Sequence, residues 1–304
     1  MTVAQGSKAR LAYVVESTYG TTPTTPTLIT LPYRTHSLDL QKTLMEANDI
    51  RGDRIPRSSR HGPKTASGSI EVDLRRGSYD TFLESALMST WASNVLKVGS
   101  TNKFFTIEDQ ATDMVQYRAF KGMTVNSMSV SIVPDQMVQA TFNMLGRDMT
   151  QLTTSASGTA PTADVGYEPY DSFGAMLEGG SSLGIVTSLD FTVDNSRANV
   201  PVIGTPLSAA VDFGNAVITG TMTVRYQNKT LIDKFLNETT SSIAVTVDDG
   251  TGANSLQFVF PSVKYNGAAV PVANPQGRVI TLPFIAEYND AEATNLKIVR
   301  TYAA

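Results

Sequence analysis

The chain has 304 residues, 41 % hydrophobic and 17 % charged, with 24 Lys and Arg against 28 Asp and Glu, a net charge of −4 and no cysteine. That length holds two domains of about 150 residues, and so little charge suits a protein whose surface ends up against neighbours. The totals exclude disulfides and thiolate metal sites, a membrane-spanning run of about 18 apolar residues, and a nucleic-acid binder that works by clustered phosphate neutralisation.

Residues 1–6 lack the charged start and apolar stretch of a signal peptide, so the chain is expected to be made in a cytoplasm. Residues 1–34 carry Thr21-Thr22-Pro23-Thr24-Thr25-Pro26-Thr27, a composition that favours extended backbone. It predicts an arm lying on a neighbouring surface, or a disordered terminus. Strand patterning then dominates. Over residues 69–74, Ile70, Val72 and Leu74 alternate with Ser69, Glu71 and Asp73, the period of a half-buried strand. Tyr79, Phe82, Leu83, Ala86 and Leu87 follow at helical spacing, with Ser78 as the expected N-cap. Further strands are predicted over 104–107, 125–133 and 137–145. A Thr/Ser/Gly-rich stretch opens an expected linker at 151–182.

The same order then returns. Ser37-Leu38-Asp39-Leu40 recurs as Ser188-Leu189-Asp190-Phe191, Gly68-Ser69-Ile70-Glu71-Val72 as Gly220-Thr221-Met222-Thr223-Val224, and Tyr79-Asp80-Thr81-Phe82-Leu83-Glu84 as Ile232-Asp233-Lys234-Phe235-Leu236-Asn237. Strands over 243–247, 257–263 and 278–286 complete the second series, and Phe284 answers Phe142. The expectation is a mainly β chain of four parts: an arm at 1–34, a first domain at 35–150, a linker at 151–182 and a divergent second copy at 183–304. Each copy is expected to be a sheet covered by one short helix.

Two connections break the pattern at equivalent places. Residues 46–66 hold Arg51, Arg54, Arg57, Arg60 and Lys64 beside Glu46, Asp49 and Asp53. Residues 195–218 hold Pro201 and Pro206. Such long loops are uncommon in compact domains unless functional or disordered, and the mixed charge of the first suits a protein–protein contact better than a phosphate track.

Four segments taken together, Glu16-Ser17-Thr18-Tyr19-Gly20-Thr21-Thr22-Pro23, Ile50-Arg51-Gly52-Asp53-Arg54, the 68–72 strand and the 79–87 helix with Trp91, resemble the tail tube proteins of long-tailed bacteriophages. The resemblance covers about the first 150 residues. It implies two tandem tail-tube-like domains, each a β-sandwich or barrel flanked by one short helix, in a structural virion protein assembled in the bacterial cytoplasm into stacked rings whose lumen conducts DNA. The implied partners are the chain itself, a terminator, a baseplate or tip and a tape measure protein in the lumen, with no cofactor and no membrane insertion. In that family the first long loop reaches the next ring. This makes Arg51, Asp53, Arg54, Arg57 and Arg60, with Pro201 and Pro206 on the second loop, the candidate stacking residues. Rings of the resembled family are usually sixfold, so two copies per chain imply three chains per pseudo-sixfold ring, with each sheet edge, a pairing template, sealed against the next copy. DNA must slide without sticking, so Asp39, Glu71, Asp73 and Asp190 are lumen candidates, an ordinary solvated face being the plainer reading of the same residues. Arg225 would then need an acidic neighbour.

Catalytic signals are lacking. His36 and His61 have no metal-ligand spacing, and no nucleophile elbow, P-loop or dinucleotide fingerprint occurs. Asp248-Asp249-Gly250 reads as a hairpin turn rather than a calcium loop. Other readings are a terminator or baseplate ring protein, or a carbohydrate-binding β-sandwich using Trp91.

Overall fold

Alternating sequence builds most of the chain into antiparallel strands, and the computed structural model describes residues 3–50, 52–55, 58–172, 174–272 and 277–302. The strands before the first helix are β1 (Ala9–Glu16), β2 (Ile29–Thr30), β3 (Thr35–His36), β4 (Asp39–Glu46) and β5 (Ser59–Asp73). After α1 (Asp80–Leu87) come β6 (Val95–Lys97), β7 (Phe104–Ala111), β8 (Gln116–Ile132), β9 (Gln139–Gly146), β10 (Asp148–Leu152), β11 (Met176–Glu178), β12 (Ser181–Ser182), β13 (Val186–Asp194), β14 (Ala198–Val200), β15 (Ala210–Asp212) and β16 (Val217–Arg225). After α2 (Thr230–Leu236) come β17 (Ser241–Asp248), β18 (Ser255–Tyr265), β19 (Val279–Ala286) and β20 (Lys297–Thr301). The protein is mainly β with two short α-helices.

Both halves follow one pairing scheme. In the first, β4 pairs with β5, β5 with β9, β9 with β8, and β8 with β7. In the second, β13 pairs with β16, β16 with β19, β19 with β18, and β18 with β17. The outer partners correspond too: β1 on β7 and β10 on β8 match β11 on β17 and β20 on β18. In each half one long strand serves two sheets. The early part of β8 pairs with β7 and β10, and its later part with β9. The sheets stay open, so no barrel closes within the chain.

The sequence blocks fall on corresponding elements but are slightly out of step. Ile70 lies opposite Phe142, whereas Gly220 lies opposite Phe284. A two-residue offset keeps every side chain on its face. The glycines that lead the two repeated blocks lie inside β5 and β16, and both are there for space. A Cβ on Gly68 (φ +148°) would sit 2.5 Å from the Ser37 carbonyl oxygen, and one on Gly220 would sit 2.7 Å from that of Asp190.

α1 closes the first core. Phe82 stacks on Phe105 of β7 at 4.7 Å and meets Phe142 of β9 at 5.5 Å, tying helix to both layers. Phe82→Ala is therefore expected to cost about 4 kcal/mol of stability, read from the urea midpoint; a loss below about 1 kcal/mol would contradict this packing. α2 differs. Its expected stripe of Ile232, Phe235 and Leu236 is only partly covered, and Leu236 is 67 % exposed where its counterpart Leu83 is 2 % exposed. Lys234 holds α2 instead, with Nζ 2.7 Å from each carboxylate oxygen of buried Glu178.

Several expectations are corrected. In place of an arm lying on a neighbouring surface or a disordered terminus, residues 9–16 are part of this fold: β1 pairs along its length with β7, and Leu11, Ala12 and Tyr13 are buried, because its apolar run belongs to the first core. The 151–182 stretch is laid along the fold, with backbone hydrogen bonds from Thr162 to Leu28 and from Tyr170 to Leu74. The loop expected at 46–66 is shorter, because β5 begins at Ser59 and extends the hairpin with β4. Ser78 does not cap α1; its hydroxyl donates to Asp164 at 2.6 Å.

Candidate functional site

The halves join edge to edge. Residues Leu189 to Asp194 of β13 pair antiparallel with Ile132 to Ser127 of β8. This seam fuses one sheet of each half into a continuous surface, β4-β5-β9-β8-β13-β16-β19. Its two faces differ sharply. One row across it reads Thr35, Glu71, Thr141, Ser129, Thr192, Thr219. The next reads Asp73, Gln139, Ser131, Asp190, Thr221. The row on the reverse face reads Ile70, Phe142, Met128, Val193, Ile218, every member at most 1 % exposed. Period-two alternation in six strands, held in register across the seam, therefore yields one dry face and one polar face.

All four lumen candidates lie on that polar face. Asp39 stands opposite Ser67, in the odd-numbered series of β5 that holds Glu71 and Asp73, and Asp190 stands opposite Ser131. Asp39, Glu71 and Asp190 are exposed and make no ion pair among the described residues, while Asp73 is paired with Arg34 at 3.0 Å. Ser131 donates to Asp190 at 2.5 Å and Asn143 to Ser127 at 2.9 Å. Lys264 is matched by Glu287 at 3.4 Å, whereas Arg225 has no carboxylate partner among the described residues. Hydroxyls and scattered carboxylates leave the face hydrated and weakly repulsive to anions.

The connections after β4 and β13 emerge at the same end of this sheet, since four antiparallel steps separate the two strands. Asp53, Arg54 and Arg60 are exposed; Arg60 lies in β5 opposite Met45, and Arg51 and Arg57 fall outside the described residues. Pro201 and Pro206 are exposed at the tip of the β14–β15 hairpin. That hairpin is fastened to the first half. The Pro206 carbonyl accepts from the Lys64 amide at 2.9 Å, and the Ser208 hydroxyl meets Tyr19 Oη at 2.6 Å.

At its base lies a clasp that sequence reasoning missed. Asn195 Nδ2 donates to the Ala86 carbonyl at 2.9 Å. Arg197, 6 % exposed, donates to the Ser85 carbonyl at 3.0 Å, to Thr124 Oγ1 at 2.6 Å and to Asn102 Oδ1 at 3.1 Å. Ser85 and Ala86 belong to the last turn of α1, where the Ser85 carbonyl keeps only a long 3.4 Å bond from the Met88 amide and the carbonyls carry the negative end of the dipole. Burial pushes the Arg197 guanidinium down to about 10. A lone arginine in a polar loop gives no sequence signal of this role.

The described residues hold no group of three or more His, Asp or Glu placed to bind a metal. Asp249 accepts from Thr251 and Asn254 within the turn between β17 and β18. The Trp91 indole donates to the Asp80 carbonyl at 3.2 Å, and the Arg300 guanidinium lies 4.4 Å from its ring centre, so the ring is engaged in packing rather than held open for a sugar.

Open sheet edges, one extended polar face and loops gathered on one rim suit a structural β protein that assembles through its edges. The family model of the phage tail tube protein matches residues 6–286, and the chain belongs to that family. It is a structural component of the virion tail, in a family that assembles with itself and with other tail proteins. A search of curated proteins finds no match.

Proposed function

We propose that three chains close into a pseudo-sixfold ring, that rings stack into the tail tube, and that the polar sheet face lines the channel through which DNA leaves the capsid. The pairing scheme common to both halves supports reading the chain as two tandem tube domains, near 35–150 and 183–304. The observation that carries the proposal is the unbroken polar row from Thr35 to Thr219, which crosses the seam between the halves without a change of face. The rim loops, with Asp53, Arg54, Arg60, Pro201 and Pro206 and with Arg51 and Arg57, meet the neighbouring ring. Terminator, baseplate or tip proteins cap the stack, and a tape measure protein fills the channel before DNA does.

Electron microscopy and native mass spectrometry of the purified protein test this. Extended tubes with three chains per ring are expected. Six chains per ring would overturn the trimer, and rings that never stack would assign the chain to a terminator or baseplate position instead.

A further inference from the structure

The sheet that carries the polar face has two outer edges, β4 at one end and residues 264–269 at the other. Among the described residues, β4 pairs only with β5, and residues 266 and 269 bond only toward β19. Within the chain the corresponding edges, β13 and the end of β8, are joined to each other. Resting on the ring reading above, we propose that the seam between chains copies the seam within the chain, β4 of one copy pairing antiparallel with residues 264–269 of the next, but that the new seam is locked by apolar contact where the internal one is locked by Arg197 and Asn195.

The argument for a second copy as the occupant is continuity with the internal seam. There the stretch after β13 lies on the end of α1 through Asn195 and Arg197. The same level of the β4–β5 hairpin holds Leu44 and Met45, 53 % and 51 % exposed. The element they would meet is α2, whose Leu236 is 67 % exposed while its counterpart Leu83 is buried. Bare apolar residues thus stand on both sides of the missing joint, at the places where the internal joint carries polar ones. Covering such groups is favourable in proportion to the area removed from water. Antiparallel pairing with one residue of odd number opposite one of even number also sets Asp39 and Gln41 beside Asn266, so the polar face runs on without interruption.

The absence of cysteine makes the seam testable by cross-linking. Directly opposed strand residues have Cα atoms about 4.5–5.5 Å apart, within disulfide reach. Chains carrying Asn266→Cys with Asp39→Cys or with Gln41→Cys, assembled and then oxidised, are expected to give a covalent ladder ending at three chains. Leu236→Asp is expected to raise the concentration needed for assembly by about tenfold or more while the monomer's thermal unfolding stays put. Tubes that form without any cross-link, or Leu236→Asp chains that assemble like the parent, overturn this seam and leave the tube reading intact. No assembly by the parent chain overturns both.

Discussion

Replacing Arg197 by alanine lowers the unfolding free energy of the monomer by about 3 kcal/mol. The guanidinium is buried, faces no carboxylate among the described residues, and exchanges its hydration for the Ser85 carbonyl, Thr124 and Asn102. Truncation strips the Ser85 carbonyl and the Thr124 hydroxyl of a charged donor, leaving the carbonyl only the Met88 amide at 3.4 Å and the hydroxyl its bond to the Lys103 carbonyl at 3.0 Å, and hydrogen bonds to a charged group are the costlier ones to lose. Arg197→Met keeps the stem and removes the charge together with its own desolvation, so it costs less, about 1 kcal/mol. The sign of the pH effect follows from the direction of the shift. Because the folded-state pKa of about 10 lies below the ordinary 12.5, the unfolded chain binds more protons only above roughly pH 10. Stability from this group therefore rises with pH only in that alkaline range and is flat around neutrality. Urea unfolding of the three proteins is the measurement, and an alanine variant within about 0.5 kcal/mol of the parent would remove the clasp from the account.

Virions carrying Glu71→Lys together with Asp190→Lys release DNA about tenfold more slowly at low salt, and the difference shrinks as salt rises. Each change moves a side chain from −1 to +1, so the pair adds 2 × 2 = 4 charges and takes the chain from −4 to 0. Both residues are exposed on the polar face and make no ion pair among the described residues, so assembly is expected to survive. Asp73 is the poorer choice, since its reversal would also break the 3.0 Å contact with Arg34 and confound the reading. New lysines on a channel wall attract phosphates and release counterions, which turns smooth passage into a sequence of weak bindings. Release kinetics after receptor triggering, followed by dye fluorescence across a salt series, check this. Kinetics identical to the parent's would take Glu71 and Asp190 off the channel wall.

The strands and their faces were legible because alternation is a local signal. Ile70, Val72 and Leu74 against Ser69, Glu71 and Asp73 fixed both position and orientation of β5 in the sheet, and the recurrence of the block at Gly220 pointed to a corresponding strand in the second half. Other features depended on distant partners. β1 carries strand spacing at Leu11 and Tyr13, but the Thr- and Pro-rich run that follows it dominates the local composition. Ser78 met the rule for a helix cap, but Asp164, 86 residues away, took its hydroxyl. The strand span from Ser59 to Ala66 was unreadable because its pattern is polar and it is held by pairing with β4 rather than by burial. For the polar face, the four acidic positions could be read from sequence as outward members of their strands, whereas their alignment into rows needed the register between β8 and β13.

That register has a consequence for how a tube is made. A joint inside one polypeptide forms as the molecule folds, with no wait for a collision between copies, because its two margins are leashed together at a local concentration on the order of millimolar. On the proposed three-chain ring, half of the lateral joints would then be complete before the first encounter. Growth would need only the other half, and the supply of free subunits could stay dilute enough to avoid tangling in the crowded host.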